Sequence, residues 1–250
     1  MTENPYESDE LLTQYLLFHY GTAREVLPWP FGPKEALDYA VRCVSEPLSD
    51  HTLPENARAL DIGCAVGRSS FELSKVCSEV IGIDYAHKFI DAANDLKSAG
   101  SVDYRYTVEG KTTEAATALI PDCAHADRVT FEQGDAMDLR DHLGQFDVVL
   151  AANLICRLTD PMKFLERLPG LLNPGGLLII NTPLTWMEAF TPEINWIGGT
   201  PETGETLPGL KEILGKDFAF QTVVNMPFFI REHARKYQWS VAQSSRWLRR

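Results

Sequence analysis

The chain is short of positive charge. Its 250 residues carry 23 lysines and arginines against 35 aspartates and glutamates, a formal net charge of −12. Nucleic-acid binding needs a basic surface to neutralise phosphates, so no nucleic-acid partner is expected. The one basic cluster, Arg246, Arg249 and Arg250, reads as a solvated terminus. Long apolar runs are also missing. Nothing approaches the roughly 20 residues of a membrane span, and the acidic, polar start has no apolar leader segment. No membrane partner is expected. The five cysteines, Cys43, Cys64, Cys77, Cys123 and Cys156, fall at no metal-ligand spacing, and no two of the six histidines stand three or four residues apart. No metal site is expected, and an odd set of unpaired thiols fits a reducing cytoplasm. Internal repeats and low-complexity linkers are absent.

What is present is a 44% apolar chain long enough for one large domain with a substantial core. Residues 4 to 21, "NPYESDELLTQYLLFHYG", hold three tyrosines, a phenylalanine and a histidine. Asn4 with Pro5 and Glu7 predicts a capping box opening a helix that Gly21 ends. A turn-rich stretch, "LPWPFGP", leads to a second helix expected from Pro33, with Ala36, Leu37, Ala40, Val41 and Val44 on one face.

From Ala57 the pattern changes. Short apolar strands ("ARALDIG", "EVIGIDYA", "VTFEQGD", "FDVVLAANLI", "GGLLIINTP") alternate with amphipathic helices ("RSSFELSKV", "HKFIDAANDL", "PMKFLERLPGLL"). This alternation predicts an α/β fold with a parallel sheet covered on both faces. Residues 101–127 and 184–209 interrupt the rhythm. The chain ends in "FAFQTVVNMPFFIR" and "KYQWSVAQSSRWLRR", read as two antiparallel strands with Pro227 at a bulge or an edge.

The chemistry lies at strand ends. The first strand runs into Asp61-x-Gly63-x-x-x-Gly67 and then a helix. Gly63 lets the backbone turn tightly near a ligand, and Gly67 lets the helix start beside it. Asp84 ends the second strand, where a carboxylate can accept from both hydroxyls of a ribose. Asp135 ends the third, placed to accept from an adenine amine while Ala136 offers a backbone donor. Asn153 ends the fourth. Ligands of such sheets bind at these carboxyl ends.

In order and spacing, residues 57 to 183 resemble the class I S-adenosylmethionine-dependent methyltransferases. The resemblance implies a Rossmann-like, mostly parallel seven-stranded sheet with helices on both faces and an antiparallel C-terminal hairpin. One departure is Ala65, where the family's loop has a third glycine. The tighter G-x-G-x-x-G of NAD-dependent enzymes is absent. The implied cofactor is S-adenosyl-L-methionine, leaving as S-adenosyl-L-homocysteine. Asp61 would contact its methionine portion, Gly63, Cys64 and Gly67 would line the loop, Asp84 and Tyr85 would flank the ribose, Asp135 and Ala136 would hold the adenine, and Asn153 would lie nearby. Cys64 reads better as a small loop residue than as a nucleophile, since methyl transfer from a sulfonium needs none.

No Asp/Asn-Pro-Pro-Tyr/Phe motif follows the fourth strand; "AANLIC" stands there. With the acidic charge, this predicts a small-molecule acceptor. The flanks "NPYESDELLTQYLLFHYG", "LPWPFG", "AVRC" and "MPFFIREHARKYQWSVAQSSRW" resemble the 5-thiohistidine (4-mercaptohistidine) N-methyltransferases of ovothiol biosynthesis. In many organisms that unit is the C-terminal domain of 5-histidylcysteine sulfoxide synthase. The resemblance implies methylation of the 5-thiohistidine ring nitrogen nearest the side chain. Other small acceptors and a non-catalytic cofactor-binding module stay as alternatives. The iron-dependent half of that synthase has no counterpart here. Met1 just ahead of the first family motif fits a free-standing chain, and an excised domain would look the same.

The chain is therefore expected to be one methyltransferase domain, 1–250. It divides into a helical substrate cap (1–56), a cofactor core (57–183), and an insertion with C-terminal strands (184–250). Nothing in the sequence sets an oligomeric state. Catalysis requires the acceptor nitrogen close to the methyl and in line with its bond to sulfur. If that nitrogen starts protonated, a base poised near neutrality would serve. His19 is the candidate base, with a core histidine bonded to a backbone carbonyl as the competing reading. Tyr15 and Tyr20 would orient the ring, and Asn153 would hydrogen-bond it. Arg42, Arg157 and Arg231 are candidates for a bidentate grip on the acceptor carboxylate. Trp186 and Trp196 would form a wall, or simply pack the insertion onto the sheet.

Overall fold

The computed structural model describes residues 4–250, so Met1, on which the free-standing expectation rests, lies outside the described residues. Two short turns and three helices open the chain: α1 (Asp9–Tyr20), α2 (Ala23–Val26) and α3 (Tyr39–Leu48). Then come β1 (Arg58–Ile62), α4 (Arg68–Leu73), β2 (Glu79–Asp84) and α5 (His87–Ala99). The hairpin β3 (Ser101–Glu109) and β4 (Thr112–Leu119) precedes β5 (Val129–Gln133) and β6 (Phe146–Ala152). Last are α6 (Pro161–Leu171), β7 (Leu172–Thr182), α7 (Thr206–Leu214), β8 (Phe218–His233) and β9 (Lys236–Arg249).

One seven-stranded sheet runs β5-β2-β1-β6-β7-β9-β8. The first five strands are parallel, while β9 and β8 pair antiparallel. This is the expected Rossmann-like arrangement. The parallel strands are buried end to end because helices cover both faces. On one face Leu150 and Ile179 pack with Leu17 of α1, Val44 of α3, Phe71 of α4 and Leu96 of α5. On the other Leu60, Ile62 and Val149 pack with Phe164 of α6 and Leu210 of α7. No helix among the described residues is long and apolar enough to cross a membrane.

Two sequence expectations, the capping box and the start of the second helix, need correction, and two open readings are resolved. Asn4 caps only a short 3₁₀ turn, Pro5–Glu7, by accepting from the Tyr6 N–H. The helix proper starts at Asp9, where Ser8 accepts from the Leu11 N–H. Glu7 is drawn elsewhere, so the capping box does not form. The second helix starts at Tyr39, not Pro33, because Asp38 takes a left-handed conformation that breaks the turn. Residues 101–119 are a two-stranded sheet of their own. The bulges of β8 lie at Phe220/Thr222 and Arg231/His233, so Pro227 marks an edge strand and no bulge.

The C-terminal hairpin reaches past the sheet. β9 pairs with β7 only from Gln243 to Leu248, while residues 236–242 pair with β8 alone. That overhang lies beyond the carboxyl end of β7. Phe228 on it meets Phe18 of α1 and Tyr39 of α3, with ring centroids 6.0 and 4.5 Å apart. The N-terminal helices and the hairpin thus pack together beside the end of the sheet where the acids cluster.

Candidate active site

Asp61 points from β1 onto the first turn of α4. Its Oδ2 accepts from Ser69 and Ser70, each at 2.7 Å, while Oδ1 is buried with no partner. Burial pushes its pKa up to about 6 against those hydroxyls. The loop after β1 is anchored by Gly63 and Cys64 donating to the Ile83 carbonyl at 2.8 and 3.1 Å. Gly63 and Gly67 both take positive φ, and a Cβ on Gly67 would lie 2.5 Å from Phe131 Cζ. Ala65 takes φ of 48°, the left-handed region that favours glycine. Alanine therefore stands where the family's third glycine is usual without changing the shape of the loop. Cys64 is buried, and burial raises its thiol pKa well above the ordinary value, which removes it as a nucleophile.

Asp84 closes this loop. Its Oδ2 accepts from Ala65 N–H and Oδ1 from Ala86 N–H, both at 2.9 Å. Each oxygen keeps a lone pair for a ligand hydroxyl. Tyr85 is exposed beside it. Asp135 follows β5 and accepts from Met137 N–H at 2.8 Å, with Ala136 buried between them. These acids line neighbouring strand ends as the spacing predicts.

The N-terminal segment packs beside these strand ends. Asn153 follows β6 at φ of 55°, and its Oδ1 accepts from the Tyr39 hydroxyl at 2.9 Å. Tyr15 stacks on Phe89 of α5, centroids 4.8 Å apart, and meets Tyr6 edge-on at 6.1 Å. The charges of Asp84 and Arg157 both bear on the Tyr15 phenol, whose pKa is raised mainly by burial. Arg157 donates to the carbonyls of Cys156 and Thr185 at 3.0 and 2.9 Å, and its charge bears on the Tyr6 phenol, whose pKa burial raises.

Other candidates sit elsewhere. Tyr20 donates to the Val66 carbonyl at 2.8 Å and so braces the loop instead of facing an acceptor. His19 packs among Tyr15, Phe18 and Tyr20, with Nδ1 buried and unpartnered. Burial first, and the Arg68 charge second, push its pKa down to about 3. It is neutral and too weak a base to take a proton near neutral pH, which corrects that expectation. Its predicted backbone-carbonyl bond is absent too.

Arg42 is consumed by structure. It donates to the carbonyls of Leu37 and Pro227 at 2.8 and 2.5 Å, tying α3 to the edge strand. Arg231 is buried, donates to the Glu25 carbonyl and lies over the Tyr106 ring. It clamps α2 and the β3–β4 hairpin. Trp186 donates to Thr206 Oγ1 at 2.9 Å and stacks on Trp196, whose own indole donates to the Thr191 carbonyl. Both indoles knit the insertion together.

Sequence reasoning passed over Tyr6, Tyr39 and Asn181, and gave Glu7 a cap in its own turn instead of at α5. Glu7 accepts from the N–H groups of His87 and Lys88 at the start of α5. Tyr39 and Asn181 carried no periodic signal beyond apolar flanks, although "NTP" at a strand end marks Asn181 as an unusual polar residue.

Residues 60–180 match the family model described as "Methyltransferase domain". The chain is 30% identical over 133 residues to the ubiquinone biosynthesis O-methyltransferase of Azorhizobium caulinodans, covering 53% of this chain and 43% of that protein. It thus spans less than half the length of that relative. Among solved structures, the N-methyltransferase NodS of Bradyrhizobium japonicum in complex with S-adenosyl-L-homocysteine superposes with a TM-score of 0.55 at 15% identity, over 95% of this chain and 98% of that one. The magnesium protoporphyrin IX methyltransferase of Synechocystis with bound S-adenosylmethionine gives 0.54 at 15% identity, over 99% and 100%. At such identity these structures establish the fold alone.

Proposed function

We propose that this chain is a class I S-adenosylmethionine-dependent methyltransferase that methylates 5-thiohistidine on the ring nitrogen nearest its side chain, giving ovothiol A; the match of residues 60–180 to the methyltransferase-domain model and the fold support the first part of that reading. The site fits the cofactor. Asp61 Oδ1 is a buried acceptor awaiting a donor such as an ammonium. Asp84 has spare lone pairs for a ribose diol, and Asp135 with Ala136 suits an adenine edge. Held by Asp61, Asp84 and Asp135, S-adenosylmethionine would supply an electrophilic methyl, and the chain's own task would be to present the acceptor nitrogen in line with it and let the ring proton pass to water.

The observation that carries the acceptor reading is the aromatic cap. Tyr6 and Tyr15 pack on each other and on Phe89, the Arg157 charge bears on both phenols, and Tyr39 donates to Asn153. The N-terminal segment carries much of the sequence resemblance to the ovothiol family, together with the C-terminal flank. In this reading Asn153 and Tyr15 orient the acceptor ring, and Arg157 holds its carboxylate. Arg42 and Arg231 are committed elsewhere. His19 stays neutral, so the proton passes to solvent. The decisive experiment is incubation with 5-thiohistidine and S-adenosylmethionine, locating the new methyl by NMR. One methyl on that nitrogen is expected; a methyl on sulfur, or none, overturns the proposal.

The O-methyltransferase relative favours a second reading, transfer to a hydroxyl of another small acceptor. Turnover of hydroxylated aromatic acids in preference to 5-thiohistidine would establish it.

A further inference from the structure

Asn181 sits near the end of β7 with its side chain wholly buried, and neither Nδ2 nor Oδ1 has a hydrogen-bond partner. Directly opposite it on β9 is Ser244, also buried, its Oγ also unpartnered. Facing residues of an antiparallel pair share one side of the sheet. That side is the one Asp61 occupies, and Asp61 Oδ1 is unpartnered as well. Three side chains with unsatisfied atoms therefore gather on one face, at the carboxyl ends of the strands.

Buried polar groups are nearly always paired, so an unpaired amide here is costly. Leu177 and Ile179, the preceding residues of β7 on the same face, are apolar. Stability alone would place an apolar residue at 181 too. The Cys43 thiol of α3 lies beside this face, its pKa held up at about 12 by burial and lowered in part by Asn181 and Tyr39. A thiol is too weak a donor to satisfy an amide. The cluster adjoins the end of β6, under the contact between α3 and Asn153. The Asn153 N–H donates to the Asn181 carbonyl at 2.8 Å, and Asn153 Oδ1 holds the Tyr39 hydroxyl.

We propose that Asn181, with Ser244 beside it, binds the methyl acceptor through an uncharged edge that presents one hydrogen-bond donor and one acceptor, as neutral imidazole does. This rests on the methyltransferase reading above. An amide supplies the complementary donor and acceptor in one plane. Asn181, Ser244 and Cys43 carry no charge, and Asp61, the carboxylate on this face, is held through Oδ2 by Ser69 and Ser70, so the amide and the hydroxyl favour an uncharged partner. The amide fixes the ring's rotation and so decides which ring atom faces the cleft.

The test titrates imidazole into the full chain saturated with S-adenosyl-L-homocysteine, by calorimetry, for wild type, Asn181→Leu and Ser244→Ala, with melting temperatures alongside. Asn181→Leu is expected to melt no lower than wild type, since an unpaired amide is replaced by an apolar isostere. Its S-adenosyl-L-homocysteine affinity stays within about twofold, and imidazole binds at least about tenfold more weakly. Ser244→Ala weakens imidazole by about threefold. Equal imidazole affinity in wild type and Asn181→Leu overturns the proposal, as does no binding to wild type. If Asn181→Leu melts lower, Ser244→Ala decides, and an unchanged imidazole affinity there overturns it. Should 5-thiohistidine prove not to be methylated, the imidazole titration still reads this site separately.

Discussion

The Glu7 carboxylate accepts the backbone N–H groups of His87 and Lys88 at 2.7 and 3.2 Å, so a turn at the start of the chain caps a helix eighty residues away. Helix α5 needs this because its own N-cap, Ala86, has no side chain to offer. The contact also seats the turn that carries Tyr6 to Arg157. Glu7→Ala is expected to cost about 1 kcal/mol. That lowers the melting temperature by about 2–4 °C. It also raises the acceptor KM, with cofactor affinity changed less than about threefold. Calorimetry and steady-state kinetics check both, and an unaltered KM would show that the turn does not shape the acceptor side.

Asp61 makes both stability and cofactor affinity depend on pH. Its folded pKa, about 6, exceeds the ordinary 3.8 because burial disfavours the ionised form. The cost is fully present above about pH 6 and is relieved as pH falls from there towards 3.8. The shift corresponds to about 3 kcal/mol in the cofactor-free protein. Binding a cofactor ammonium uses the ionised form, so affinity runs the other way and weakens as pH drops through about 6. Asp61→Asn should flatten both trends and bind S-adenosylmethionine weakly at pH 8. A cofactor Kd that is level from pH 8 to 5 in wild type contradicts this.

His19 is neutral throughout the working range, with its pKa pushed down to about 3. Its replacement should leave the pH profile of kcat unchanged. His19→Phe keeps the aromatic packing with Tyr15 and Phe18 and is expected to retain turnover within about threefold. The loss of a limb of the pH profile near neutrality would restore His19 as a base.

The three arginines separate by what they hold. Arg157→Ala should raise the acceptor KM by about tenfold or more, the value of a charge-assisted carboxylate contact. Arg42→Ala and Arg231→Ala should instead lower the melting temperature, since each ties distant backbone segments together. Equal KM changes in all three variants would remove Arg157 from the acceptor site.

Much of the fold was legible because it follows from local periodicity. Strands such as Arg58–Ile62 and Phe146–Ala152 are continuous apolar runs, as burial on both faces requires. The loop from Gly63 to Gly67 was legible because its two glycines stand where positive φ is needed. Less could be read where two local solutions compete. Glu7 had the spacing of a capping box but reached α5, since the exposed N–H groups there are better partners than its own turn. Arg42 and Arg231 looked like free cations in sequence, yet packing placed backbone carbonyls within their reach.

The sequence by itself determined the alternation of strands and helices, the strand-end positions of Asp61, Asp84, Asp135 and Asn153, and the net charge of −12. Those depend on residue type, spacing and total charge. Tertiary structure alone decided which side chains meet: Tyr39 with Asn153, Tyr6 with Arg157, Asn181 with Ser244. It also decided the ionisation of Asp61 and His19. Both kinds of outcome depend on burial and on contacts between segments far apart in the chain, and these are set by how the elements pack, not by the residues next in line.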